Sequence, residues 1–218
     1  MSEWLTWQLV DSAFPTGTFA HSWGLESAWQ HGEVTDLDSL RQFLHDSIRQ
    51  TGYATIPLLN AVYRRPDELE RLDELAEAFL LNPVANRASR AQGRALVATV
   101  ARIWPSEDMA ALKRRVESLR AHAAPLSGAV FRIMGVSLSV AQHVTLYSTA
   151  RSVLAAAVRL GISGSYEAQR LQYGCAAQLD AVIQRCGALT PDDLAQTAPI
   201  ADMLQSAHDR LYSRLFQS

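Results

Sequence analysis

Lysine is almost missing from this chain: Lys113 stands alone beside nineteen arginines in 218 residues. A phosphate-cradling P-loop needs a lysine directly after a glycine at a helix start. Lys113 sits between Leu112 and Arg114 in a helical stretch, so the chain is not itself a P-loop GTPase. Charge of one sign is also missing. Twenty basic residues face 22 acidic ones, a net charge of −2, and no concentrated positive field awaits a nucleic-acid backbone. Nor is there a long apolar run. The longest, Val153 to Val158, falls far short of the roughly 20 residues that cross a bilayer. Glu3 near the start, with no basic stretch ahead of an apolar core, does not read as a secretory signal. The expectation is a cytoplasmic protein that binds neither membrane nor nucleic acid.

Cysteine is scarce too. Cys175 and Cys186 lie eleven residues apart in what reads as one helix, roughly 16 Å along its axis, too far for a disulfide or a shared metal. The six histidines show no i, i+4 pair and no His-Glu-x-x-His, so no stably bound metal is expected. Gly161-Ile162-Ser163-Gly164 lacks the spacing of a Gly-x-Ser-x-Gly nucleophile elbow and reads as a helix stop and restart. Nothing assembles an acid/base pair or a nucleophile, and a non-enzyme is expected.

What is present is helical periodicity. Hydrophobic residues make up 48% of the chain and charged residues 19%, the balance of a globular protein. The length suits one domain, residues 1–218, at roughly 100–200 residues per domain. Thr35 or Asp36 caps a stripe of Leu37, Leu40, Phe43, Leu44 and Ile48. After Pro66, a second stripe runs from Leu69 to Leu80 and stops at Asn82-Pro83. Helices are further predicted over 85–103, from Ser106, over 125–134, 139–160 and 166–185, from Thr190-Pro191-Asp192-Asp193, and from Pro199 to about Leu215. The 139–160 segment is apolar on most sides and is expected at the centre. The fold class is therefore all-α, a single-domain bundle of about eight to ten helices.

Three segments make the sequence more specific. The first is Asp11-Ser12-Ala13-Phe14-Pro15-Thr16-Gly17-Thr18-Phe19-Ala20-His21-Ser22-Trp23-Gly24-Leu25-Glu26, where Pro15 and Gly17 make a turn ahead of a helix. The second is Val158-Arg159-Leu160-Gly161 followed by Gly164 and Gln169; Arg87, Ser89, Gln92-Gly93 and Ser127-Gly128 lie upstream. The third is the ending Ala207-His208-Asp209-Arg210-Leu211-Tyr212-Ser213-Arg214-Leu215-Phe216-Gln217-Ser218. Together these resemble the urease accessory protein UreF family across nearly the whole chain.

The resemblance implies an all-helical, dimeric, non-enzymatic protein. It implies binding to the accessory protein UreD (UreH in some systems) and recruitment of the GTPase UreG, for GTP-dependent nickel delivery to apo-urease. Nickel and GTP would be handled by the partner complex, with no cofactor held stably by this chain. For the terminal segment two readings stand: Arg210, Arg214, Leu215 and Phe216 dock a partner, or Leu215 and Phe216 close over the chain's own core. Arg159 either reaches the phosphates of a partner's nucleotide or serves as a structural arginine, the favoured reading. Trp4, Trp7, Phe14 and Phe19 read as core before a recruitment patch. Rival classes are an all-helical DNA-binding regulator, which would need a basic recognition helix, and a helical enzyme, which would need converging titratable groups.

Overall fold

The computed structural model describes residues 3–16 and 20–218; Gly17 and Phe19 of the first motif lie outside the described residues. All secondary structure among those residues is helical. The α-helices are α1 Glu3–Val10, α2 Leu25–Gln30, α3 Leu37–Ala54, α4 Ile56–Arg64, α5 Leu69–Phe79 and α6 Pro83–Ile103. They continue as α7 Glu107–Val116, α8 Ala123–Ile133, α9 Leu138–Arg159, α10 Ser165–Gly174, α11 Ala176–Cys186 and α12 Pro199–Ser206. One residue separates α3 from α4 and one separates α10 from α11. Counting each pair as one rod brings the bundle within the expected eight to ten.

Local chemistry places the boundaries. Asp36 accepts from the backbone N–H of Asp38 and Ser39, and Ser39 closes a capping box at the start of α3. Pro57, which has no N–H and cannot sit inside a helix, breaks the rod at Thr55 and starts α4. That helix is buried from Ile56 through Val62, with Asn60 and Arg64 four residues apart on its polar side. Gly174, a poor helix former, ends α10 where one helix was expected. Cys175 occupies the break, and both cysteines are buried and free.

The long α9 is central, as its composition predicts. It packs on α3, α10, α11, α1 and α4, and its buried residues include Val144, Leu146, Ala150, Val153, Leu154 and Ala157. Glycines set two close approaches. A Cβ on Gly128 of α8 would stand 2.5 Å from the Leu59 carbonyl of α4, and one on Gly93 of α6 would collide with the Ala121 carbonyl. Polar ties cross the core as well. Gln142 of α9 donates to Asn60 of α4 (2.7 Å) and to the Gly187 carbonyl (2.8 Å), which Asn60 also reaches.

Two expected helices are shorter than the sequence suggests. The Thr190 cap opens only a 3-10 turn, Pro191–Asp193. The chain beyond it is bound to α3: Gln50 accepts from Thr197 and Ala198, and Tyr53 accepts from Ala195. The terminal helix stops at Ser206 instead of near Leu215. One 3-10 turn follows, Ala207–Arg210, and residues 211–218 run without helix. The backbone donors of Leu215, Phe216 and Gln217 are taken by another part of the molecule.

Candidate functional site

The first and third sequence motifs meet in space. The turn into α2 places Trp23 and Gly24 in the left-handed region, at φ 59° and 83°. Gly24 also faces α12: a Cβ there would lie 3.0 Å from the Gln205 Cβ. Glycine is the residue that meets both demands.

One step along α2, Glu26 is only 2% exposed. A buried carboxylate is tolerated only when its oxygens are filled, and the last residues fill them. Leu215 and Phe216 donate their backbone N–H groups at 2.6 and 3.1 Å, and His208 Nε2 donates at 3.0 Å. His208 is wholly buried, and its other ring nitrogen has no hydrogen-bond partner. The clasp continues. Gln217 N–H donates to the Ala20 carbonyl, while Ser22 donates its N–H and hydroxyl to the Ser218 carbonyl at 2.6 and 2.9 Å. His21 Nδ1 and the Ser218 hydroxyl lie 2.6 Å apart. Burial, reinforced by the charge of nearby His208, lowers the His21 pKa.

Phe216 is buried with the core cluster of Leu25, Val153, Leu154 and Ala157. The Arg159 guanidinium stacks on its ring, 4.1 Å from the centroid, a cation–π contact. Gly161 closes α9 at φ 74°, and Gly164 starts α10, where a Cβ would meet the Glu167 carboxylate. Gln169 is exposed on α10. The second motif thus joins the other two through Arg159, while in its loop Ile162 packs on the core, Ser163 is buried and the two glycines are exposed. Phe14 and Pro15 lie elsewhere: Phe14 packs on Trp104, and the Pro15 carbonyl accepts from Thr99.

Around the clasp the surface is apolar and ionic. Tyr212 is fully exposed, Met203 and Ile200 stand on the outer side of α12, and Leu215 is about half exposed. Leu81 is exposed beside Asn82, which caps α6 and donates to Asp202 of α12. Asp209 pairs with Arg87 at 2.9 Å and Arg214 at 3.4 Å, and Arg210 is exposed.

Sequence reading missed a second polar cluster. Asp73 of α5, wholly buried, accepts from the N–H groups of Ala121 and His122 at 3.0 and 2.8 Å. His122 then bridges Glu77 at 2.8 Å and Ser89 at 3.2 Å. Hydrogen bonds from His122 and Asn86 hold the Glu77 carboxyl below its ordinary pKa. Its members lie too far apart in sequence for any local spacing to announce it. The one available signal was Ser89, two residues from Arg87 in the second motif's upstream cluster. This cluster ties α5 and α6 to the start of α8. Among the described residues no group of three or more His, Cys, Asp or Glu could hold a metal ion, and no helix is long and apolar enough to cross a membrane.

Comparison with known proteins places this arrangement. A family model described as UreF matches residues 34–176, well over half of the chain. Glu26 and the terminal segment that clasps it lie outside that stretch, whereas Arg159 lies within it. The chain is 34% identical to Urease accessory protein F of Oryza sativa subsp. indica, covering 99% of this chain and 85% of that protein. It is 32% identical to Urease accessory protein F of Arabidopsis thaliana, covering 99% and 92%. Against Urease accessory protein UreF of Arthrobacter sp. it is 33% identical, covering 97% and 95%. With the helical fold and the joined motifs, these matches show that the chain belongs to the UreF family of urease accessory proteins.

Proposed function

We propose that this protein is a non-catalytic, cytoplasmic scaffold in urease maturation. It binds UreD (UreH) and the GTPase UreG, as a homodimer, so that nickel enters apo-urease at the expense of GTP. Nickel and GTP belong to the partner complex, and no cofactor resides in this chain. The family supports the role in urease maturation. One observation carries the docking part: the terminal segment is held rigid by buried Glu26 while Tyr212, Leu215, Arg210 and Arg214 face outward. A preorganised tip rich in aromatic and arginine side chains is what interface hot spots use, because little ordering entropy is left to lose on binding. Phe216 is then the anchor that fixes the tip from inside, and Arg159 supports that anchor instead of reaching a partner's phosphates.

Size-exclusion chromatography with light scattering tests the reading, on the protein alone and mixed with its host's UreD and UreG, with GTP and nickel. A co-eluting complex of about two copies of each is expected. Combining Tyr212→Ala with Leu215→Glu should abolish co-elution without moving the unfolding midpoint. A protein that stays alone under every nucleotide and nickel condition would refute the scaffold. Unchanged complexes of the double variant would refute the docking tip alone.

A further inference from the structure

From Pro191 to Ser218, three residues are buried: His208, Phe216 and Ser218. Helix α12, in the same stretch, has no buried residue. All three anchors land on one short segment, residues 21–26. His208 and the backbone of Phe216 meet Glu26, and Ser218 meets His21 and Ser22. A stretch held at so few buried points belongs to the low-stability end of a fold and opens before the bundle does.

His21 is the weak member of this joint. It is buried, and its Nδ1 lies 2.6 Å from the Ser218 hydroxyl. Among the described residues the histidines paired with a carboxylate are His122 and His208; His21 has no such pair. The charged and titratable groups around it offer no compensation. On α2, the Glu26 carboxylate is filled by the tail and by His208. In the turn after α12, His208 can add only like charge. Asp11 after α1, Asp202 of α12 and Arg151 of α9 line the same cavity as His21. The two acids there are engaged by the Ala13 N–H and by Asn82, and Arg151 is one more cation. A proton on His21 is therefore a buried charge without a counter-charge, whereas in water the same charge is hydrated. Burial first, and then His208, lower its pKa accordingly.

We propose that His21 is a proton-operated latch: when its ring takes up a proton, Ser218 and the residues before it leave, freeing 211–218 while the bundle stays folded. Release gives the charged ring access to water, so acid opens the latch and neutral pH closes it. Tyr212 and Leu215 lie on the freed stretch, so acid also weakens docking, a consequence that rests on the scaffold reading.

Hydrogen exchange of the native full chain at pH 7.5, 6.5 and 5.5 tests the latch, each rate being corrected for the intrinsic pH dependence of exchange. The reporters are the amides of Leu215, Phe216 and Gln217, which donate within the clasp; buried α9 amides are the reference. From pH 7.5 to 5.5 the reporters should open several-fold more often, up to about tenfold for a single histidine, while α9 stays unchanged. His21→Asn and His21→Gln should each flatten this response. His143→Asn, at an exposed site on α9, should keep it. The proposal is overturned if the reporters do not respond, if α9 opens in step with them, or if either His21 variant responds like the parent. Reporters that open in acid, in a protein that forms no complex with UreD and UreG at any of these pH values, would uphold the latch and refute the scaffold alone.

Discussion

Two glycines with nearly the same backbone separate strain from crowding. Gly24 and Gly32 sit at φ 83° and 77°, but only Gly24 has a neighbour where a Cβ would go. Gly32→Ala should cost about 1 kcal/mol, the penalty of left-handed backbone alone. Gly24→Ala should cost roughly 2–4 kcal/mol, since overpacking against Gln205 adds to it; urea midpoints of the two variants measure the difference. If the costs are equal, the contact with α12 does not constrain the turn. His21 gives a prediction in pH. Its pKa is lowered in the folded protein by burial and by His208. Below the ordinary value of 6.5, the unfolded chain therefore takes up a proton that the folded chain resists. The stability this histidine contributes is complete above pH 6.5 and is lost as pH falls towards the lowered folded value. Urea unfolding at pH 7.5 and 5.5 should show a smaller acid loss in His21→Asn than in the parent; equal losses would assign the effect to other groups.

Among the helices, glycine again decides, here through packing. Alanine in place of a mid-helix glycine ordinarily stabilises by about 0.5–1 kcal/mol. Gly128→Ala should reverse that sign and destabilise by about 1–3 kcal/mol, because its Cβ would press on the α4 backbone at Leu59. A raised melting temperature would mean that α4 and α8 can separate without loss. Two helix starts were legible from sequence because capping is local chemistry: Asp36 and Ser106 act within a few residues. Asn82-Pro83, read as a stop, also caps α6. Helix α4 is only nine residues long and starts one residue after α3, so its polar pair Asn60 and Arg64 is too short a pattern to mark a separate helix. The ends of the last two helices were misread for a different reason. Local signals favour helix beyond Thr190 and beyond Ser206, but Gln50 and Glu26 take the backbone donors that a longer helix would use.

At the scale of the whole molecule, Glu26 is the joint between segments nearly 190 residues apart. Glu26→Ala leaves two backbone donors and His208 without an acceptor. It should destabilise by about 3–5 kcal/mol. Before global unfolding it should free residues 211–218, seen as new protease cleavage there under native conditions. Cleavage confined to other regions would show that the clasp is not what holds the tail. Phe216→Ala should cost about 3–5 kcal/mol as a core truncation, and it removes the surface on which Arg159 stacks.

The sequence by itself determined the helical class, the central place of α9, two capped helix starts and the family. These rest on periodicity, on side chains that bond their own neighbours, and on residue order, all of which are written locally. It also marked His21, Ser22, Gly24, Glu26, Arg159, His208 and Phe216 as residues of interest, without any sign that they touch. Tertiary structure decided that they form one clasp, that the tail is not helical, and that Asp73, Glu77, Ser89 and His122 share one network. Those outcomes turn on which distant group satisfies a buried donor or acceptor, and that choice exists only once the chain has folded.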